Sequence, residues 1–403
     1  MIIIDRCPVK SAVSLLSYKS ITPNDDGAIS DIAHDLRLLG FWCAEKNIED
    51  TANLYAYRSY ALRKSKSCYS KPNIRHICFV GHVDVVPPGD LSMWKFDPFT
   101  PTVDNGVLYA RGAVDMKGAI AAFLSAVCEL EDRGFGCCEH SETDEGSGEE
   151  KLMVSILLTS DEEGTGTNGI KQMVGWLQKN NYIPDFFLIG EPTGGIFGEC
   201  VNVGRRGSVC AELVCRGVQG HIAYPHLFDN PISRMLDCLR KLCSIDFDCG
   251  LTFPEFQKSR LEVTSIDVGN NAVNVTPEKV FARFGVRFNP LHTCDSICDA
   301  ISSVCAELAG DHVLSFHKSG EAFFTNDAGL IGFVKSSVGK ITCMPRESTD
   351  GGTTDGRFLS VLAPVIEFGL PETTMHKVNE CVSVLDIEML KKVYLGMLEE
   401  LVG

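Results

Sequence analysis

The sequence predicts an α/β protein whose sheet is covered on both faces, interrupted by a smaller inserted domain. Three observations predict this. The apolar runs at 74–82, 151–160 and 185–190 are nearly continuous, not alternating, as strands buried on both faces require. Helical segments lie between and around these runs. Residues 207–318 read strand, helix, strand, strand, helix, strand, the β-α-β-β-α-β order of a ferredoxin-like unit. A chain of 403 residues exceeds what one hydrophobic core usually supports. The expected division is therefore 1–206 with 319–403, and 207–318 as the insert.

In chain order, residues 11–19 and 27–40 read as helices, the second stopping at Gly40. "IRHICFVGH" (74–82) is a buried strand. "TVDNGVLYARG" is a hairpin turning at Asn105-Gly106, the dipeptide that supplies two left-handed residues. "MKGAIAAFLSAVCEL" is an apolar helix. The acidic, Gly- and Ser-rich stretch 134–150 reads as a surface loop without chemistry. "KLMVSILLTS" and "DFFLIG" are further buried strands, "APVIEFGL" (363–370) a fourth, and a last helix covers 386–401. Within the insert, "GSVCAELVCRG", "LEVTSIDVG", "KVFARFGVRFN" and "HVLSFHK" are strands; "PISRMLDCLRKLCSI" and "DSICDAISSVCAELAG" are helices.

Net charge is −16, which disfavours nucleic acid or an anionic membrane as partner. The apolar start "MIIIDRCPVK" is broken by Asp5 and Arg6, too early for a signal-peptide core, and no apolar stretch is long enough to span a bilayer. A cytoplasmic protein is expected. Its 18 cysteines include no CxxC pair, so free thiols are expected, not disulfides or a sulfur-ligated metal site.

The chemistry lies just beyond the end of each buried strand. The first ends at His82, with Asp84 two residues on; the second at Asp161-Glu162-Glu163; the third at Glu191; the fourth runs on to His376. Asp115 closes the hairpin segment and precedes a helix. Ligands of open α/β sheets collect at the carboxyl ends of strands. Singly, each residue has an ordinary explanation: Glu162-Glu163 suits a helix N-terminus, Asp84 a turn, and His76, His292 and His312 suit surface or hydrogen-bonded positions. Together, carboxylates crowded on one rim repel unless cations neutralise them, and two His with three carboxylates, one shared, suit a two-metal site of borderline ions such as zinc. His82 and Asp84 face the same way on extended backbone, so Asp84 can orient the imidazole. Glu162 and Glu163 face apart. One can bind metal while the other stays free to take a proton from water.

The segments "GHVDVVPPGD" (81–90), "YARGAVDMKG" (109–118), "DEEG" (161–164), "GEPT" (190–193), "VGRRGS" (203–208), "GVQGHIAYPH" (217–226), "NVTPEKVFARFGVRF" (274–288), "GGTTDGRF" (351–358) and "HKVNECV" (376–382) stand in one order along the chain. By these the chain resembles the zinc aminoacylase/carboxypeptidase superfamily and, within it, the bacterial desuccinylases of N-succinyl-diaminopimelate. The resemblance implies a zinc-peptidase-like mixed-sheet catalytic domain and an inserted dimerisation domain. It implies two Zn²⁺ per subunit, replaceable by Co²⁺: one held by His82 and Glu191, the other by Glu163 and His376, with Asp115 bridging. It further implies that Asp84 orients His82, that Glu162 is base and then acid, and that His221 reaches the partner subunit's site in a homodimer to steady the oxyanion. Arg205, Ser208, Tyr224, Asn274, Arg287 and Thr353 match positions around a small-molecule substrate with succinyl and diaminopimelate ends. An Arg pairs well with such a carboxylate. The chain departs from the family pattern at Glu372, where Asn is usual, and at Val273-Asn274, where two Asn are common. Another deacylase or dipeptidase of the superfamily, such as an acetylornithine deacetylase, is the main rival. A non-catalytic metal-binding relative is a second. A metal-independent hydrolase with a Ser or Cys nucleophile is disfavoured, since no G-x-S-x-G elbow is present.

Overall fold

The computed structural model describes residues 3–62, 74–133 and 151–403. The acidic stretch 134–150 lies outside the described residues. The chain divides into two compact units: Met1–Val203 with Thr325–Ser348 and Thr354–Gly403, and Gly204–Phe324 with Thr349–Thr353.

In the first unit the described residues form an eight-stranded sheet in the order Trp42–Ile48, Thr51–Ala61, Lys151–Thr159, His76–His82, Phe186–Ile189, Val365–Glu367, Cys200–Asn202, Arg346–Ser348. The four strands from Lys151–Thr159 to Val365–Glu367 pair in parallel, so their carboxyl ends share one rim. The outer hairpin is antiparallel, which makes the sheet mixed as well as α/β. Successive residues of His76–His82 and Phe186–Ile189 are nearly all buried, so both faces of the sheet centre are covered. Phe79 stacks on Phe123 at 4.1 Å, and Tyr394 meets both edge-on at 5.6 Å. This trio ties the central strand to the helices Lys117–Asp132 and Val384–Val402. The Tyr394 hydroxyl is satisfied by donating to the Phe368 carbonyl at 2.6 Å.

Local sequence explains most boundaries. The first helix is Pro8–Leu16, earlier than the expected 11–19, because Pro8 occupies the first turn, where a missing N–H costs nothing. The second is Ala28–Leu38, and Gly40 comes after it with φ 81°, a left-handed stop. Thr102–Asp104 and Val107–Tyr109 pair across Asn105 (φ 49°) and Gly106 (φ 79°), the turn expected there. The hairpin Trp42–Ala61, the helices Ile170–Lys179 and Ala328–Gly339, and the short strands Cys200–Asn202 and Arg346–Ser348 are elements that the sequence pattern does not announce.

The second unit carries the β-α-β-β-α-β order, as Gly207–Arg216, Pro231–Cys243, Arg260–Asp267, Lys279–Phe288, Cys294–Leu308 and His312–Gly320. Its four strands form an antiparallel sheet. Alternate residues of Gly207–Arg216 and Lys279–Phe288 are buried, and they share a core with the two helices. Asn230 caps the first helix by accepting the Ile232 N–H, with Pro231 at its first position. Thr293 and Ser296 form a capping box at the second.

A buried polar knot fixes one end of this unit. Asp248 accepts hydrogen bonds from the Ser259 N–H (3.0 Å) and Asn289 Nδ2 (3.1 Å) and meets His292 Nε2 at 3.0 Å. Burial alone would push its carboxyl up, but Ser259 and His292 hold it below the usual carboxylate range. Asp248→Ala leaves those donors without an acceptor. It is expected to cost about 2–4 kcal/mol in urea denaturation at neutral pH, and a loss under about 0.5 kcal/mol would contradict this reading. The contribution is full above the unfolded pKa of about 3.9 and disappears as pH falls through the lower folded value, so the variant and wild type converge in acid.

Every described cysteine is a free thiol. No helix among the described residues is long and apolar enough to cross a membrane.

Candidate metal centre

The parallel strands deliver their polar residues to the common rim. His82 is the last residue of its strand, and Glu163, Glu191 and His376 lie in loops beyond the other three. Asp115 stands immediately before the helix Lys117–Asp132. His82 Nε2 is 3.0 Å from Asp115 Oδ1 and 3.7 Å from Glu191 Oε1. His376 Nε2 is 3.1 Å from Asp115 Oδ2 and 2.8 Å from Glu163 Oε1. Asp115 thus turns one oxygen to each imidazole. Two triads result, His82–Asp115–Glu191 and Asp115–Glu163–His376, each with ligand atoms close enough to surround one cation. One imidazole and two carboxylates apiece, with one carboxylate common to both, is a donor set that fits a pair of divalent ions.

Glu162 belongs to neither triad. Asp84 holds the backbone of the two neighbouring glutamates: its carboxylate accepts the Glu162 N–H at 3.4 Å and the Glu163 N–H at 3.0 Å. His82 Nδ1 donates mainly to the Asp84 main-chain carbonyl at 3.0 Å, with the carboxylate 3.6 Å away. Sequence spacing brings Asp84 beside His82 but cannot separate its backbone from its side chain.

Asp161, to which spacing assigns no role, organises the loop. Its buried carboxylate accepts the N–H groups of Thr165 (3.0 Å), Gly166 (3.2 Å), Thr167 (2.9 Å) and Asn168 (3.0 Å). The loop passes so close that a Cβ on Gly164 would lie 2.6 Å from Thr22 Oγ1 and 2.7 Å from Asp161 Oδ1. The run Asp-Glu-Glu-Gly therefore needs its first acid for loop shape and its glycine for space.

The electrostatics are those of crowded acids. Burial pushes the Glu162 carboxyl well up, and Asp355 and Glu163 add to the push. Burial does the same to Glu191, reinforced by Asp115 and Glu162. Burial raises Asp355 to about 7. Asp115 would also rise on burial, yet hydrogen bonds with His376 and His82 hold it below the usual range. His376 is pushed up to about 10 by Asp115 and Glu163. His82 is raised well above its ordinary value because Asp115 and Asp84 outweigh its burial. A local excess of carboxylate over imidazole is the field a pair of cations would neutralise.

The residues that the resemblance ties to the oxyanion and the substrate, His221, Arg205, Ser208, Tyr224, Asn274, Arg287 and Thr353, all fall in the second unit. His221 pairs across a two-residue ladder with Val275; its Nδ1 accepts the Ala223 N–H at 3.1 Å and its Nε2 is 3.3 Å from Asn274 Nδ2. Tyr224 lies beside it, ring centroids 5.8 Å apart, and both are exposed. Ser208 and Arg287 are cross-strand neighbours. Arg205 is buried, and its guanidinium donates to the Asp350 carbonyl. Thr353 lies in the short Thr349–Thr353 segment of the same unit. The histidines expected to be ordinary are hydrogen-bonded: His76 to Ser155, His292 to Asp248 and His312 to the Gly310 carbonyl.

Comparison with known proteins shows the family. Residues 78–400 match the profile described as Peptidase family M20/M25/M40. A protein of Ehrlichia ruminantium (strain Gardel) named succinyl-diaminopimelate desuccinylase is 39% identical over 400 residues, covering 98% of this chain and 97% of its own. A protein of Granulibacter bethesdensis with the same name is 40% identical over 406 residues, covering 98% of each. Among solved structures, an M20 family metallo-carboxypeptidase from Sulfolobus solfataricus superposes with a TM-score of 0.74 at 16% identity, covering 97% of this chain and 98% of its own, which shows the shared fold. The resemblance carried by the sequence segments holds, and the chain belongs to peptidase family M20/M25/M40.

Proposed function

We propose that the chain is a metal-dependent amide hydrolase that converts N-succinyl-LL-2,6-diaminopimelate and water to succinate and LL-2,6-diaminopimelate, a step of diaminopimelate and lysine biosynthesis in the cytoplasm. The observation that carries the chemistry is the pair of triads sharing Asp115, with Glu162 outside both. The substrate is supported by the names of relatives about 40% identical over nearly their whole lengths.

The residues that would hold the ions are His82, Asp115 and Glu191 for one and Asp115, Glu163 and His376 for the other. Zinc is the ion we infer, with cobalt as a substitute. Bound there, such ions supply Lewis acidity, making water more acidic and polarising the amide carbonyl. Glu162 takes the proton of the attacking water and later returns it to the leaving amine. A carboxyl raised by burial suits that double duty, since it holds a proton more firmly than an exposed one. Asp84 fixes His82 from its far nitrogen and holds the Glu162–Glu163 backbone through their N–H groups. In a homodimer, His221 would donate from Nε2 to the developing oxyanion of the partner's substrate, its ring kept in place by the Ala223 N–H at Nδ1. Arg205 and Arg287 are the cations we assign to the substrate carboxylates, with Ser208, Tyr224, Asn274 and Thr353 fixing orientation.

The test is turnover of N-succinyl-LL-diaminopimelate beside N-acetylornithine and a dipeptide, by zinc-reconstituted protein and a chelated control. The expected result is hydrolysis of the succinyl compound with kcat/KM at least about a hundredfold above the others, lost on chelation. Faster turnover of acetylornithine or the dipeptide would move the chain to another branch of the family. Activity that survives complete metal removal would refute the mechanism.

A further inference from the structure

We infer that the buried ion pair Arg111–Glu380 is a positioning device for the metal centre, fastening the segments that carry Asp115 and His376 and the loop that follows His82. Arg111 Nη1 lies 2.6 Å from Glu380 Oε2, and both side chains are almost wholly shielded from water. A pair so placed is weak evidence of stabilisation in itself, because desolvating both charges offsets most of their attraction. What the pair touches is more informative.

The second oxygen of Glu380, Oε1, accepts the Val114 N–H at 2.9 Å and the Asp115 N–H at 3.2 Å. It therefore holds the backbone of the shared carboxylate itself. Arg111 Nη1 also donates to the carbonyl of Lys377, next to His376, at 3.2 Å. Arg111 Nη2 reaches the Pro87 carbonyl, in the loop after His82 and Asp84, at 3.4 Å. The Glu380 main-chain carbonyl accepts the Ala110 N–H at 3.2 Å, closing the link between the hairpin and the C-terminal loop. Trp94 covers the guanidinium, its ring centre 5.3 Å away.

The loop that carries His376 is itself in an uncommon conformation. His376 has φ 60° and Asn379 φ 61°, both in the left-handed region that few non-glycine residues enter, His and Asn more readily than most. A loop held in that conformation costs energy and persists only when its surroundings fix it. The Arg111 bond to the Lys377 carbonyl and the seat of Glu380 on the Asp115 backbone supply that fixing. Neither residue belongs to a triad. Their action runs through the ligands, as with other groups that orient metal-binding side chains.

This inference rests on the dinuclear reading of the site, and its test separates the two. Metal-free wild type, Glu380→Gln and Arg111→Lys are titrated with Co²⁺ alone, recording affinity against a competing chelator and the visible absorption bands. Glu380→Gln keeps shape and an acceptor but gives Arg111 an amide in place of a carboxylate. Arg111→Lys keeps the charge but cannot reach all three partners. Wild type is expected to take up two equivalents. Both variants are expected to keep wild-type circular dichroism, to bind Co²⁺ about 10–100-fold more weakly with altered bands, and to regain turnover as Co²⁺ is raised. Wild-type affinity and bands in both variants would overturn the positioning role while leaving the dinuclear reading intact. If Glu380→Gln does not fold, Arg111→Lys decides alone by the same readings. Failure of the wild type to take up Co²⁺ would overturn the dinuclear reading and this inference with it.

Discussion

Replacement of Glu162 by glutamine is expected to lower kcat about a thousandfold while the metal content per subunit stays at the wild-type level. The side chain keeps its volume but can no longer accept a proton. The two outcomes go together because Glu162 stands in neither triad, whereas its neighbour Glu163 lies 2.8 Å from His376. Loss of activity accompanied by loss of metal would make Glu162 a ligand and not a base. A variant retaining more than about a tenth of wild-type turnover would end the assignment. Thermal melting gives a further check. Burial and the neighbouring acids Asp355 and Glu163 make a charged Glu162 unfavourable in the metal-free protein, so the neutral variant is expected to melt no lower than the wild type.

The second large effect is expected at Asp115. Its two oxygens face His82 and His376 separately, so one substitution strikes both triads. Asp115→Ala is expected to weaken metal uptake at both positions by roughly a hundredfold or more, beyond what loss of a supporting contact costs, and to abolish measurable turnover. Glu191→Ala and His376→Ala are the comparisons: each belongs to a single triad and should weaken one position far more than the other. Competition with a chelator, read as two stoichiometric steps, distinguishes these patterns. An Asp115→Ala protein that bound one ion with wild-type affinity would show that the carboxylate does not bridge.

Much of this site is legible in the sequence because of a simple physical contrast. A strand buried on both faces is apolar, so a charged residue at its end is conspicuous. His82, Glu163 and Glu191 are recognisable in this way, and the parallel pairing that puts them on one rim is foreshadowed by the same continuous apolar runs. The Asn105-Gly106 turn is legible because few residue pairs tolerate two positive φ values in succession. The alternating strands and capped helices of the second unit are equally plain.

Other elements are hidden for equally physical reasons. Cys200–Asn202 and Arg346–Ser348 have three residues each, too few to display a period. Ala328–Gly339 is apolar and broken by glycines, so its helical character shows mainly in Asp327, which caps it through the N–H groups of Gly329 and Leu330. The hairpin Trp42–Ala61 mixes aromatic, polar and charged residues because it closes one edge of the sheet. Asp161, Arg111 and Glu380 act on main-chain atoms, which a sequence does not display. Only coordinates reveal which N–H a carboxylate is holding. Of the two adjacent glutamates, spacing alone could say that one binds and one does not, without saying which.

The five residues offering metal ligands and the acid beside them lie in one compact unit, while every side chain we assign to the substrate's ends lies in the other. Heritable change can then proceed on separate tracks: altered selectivity for the acyl or amine portion requires no tampering with the hydrolytic apparatus. On that assignment, selectivity could change within one unit while the residues that would hold the ions stay as they are.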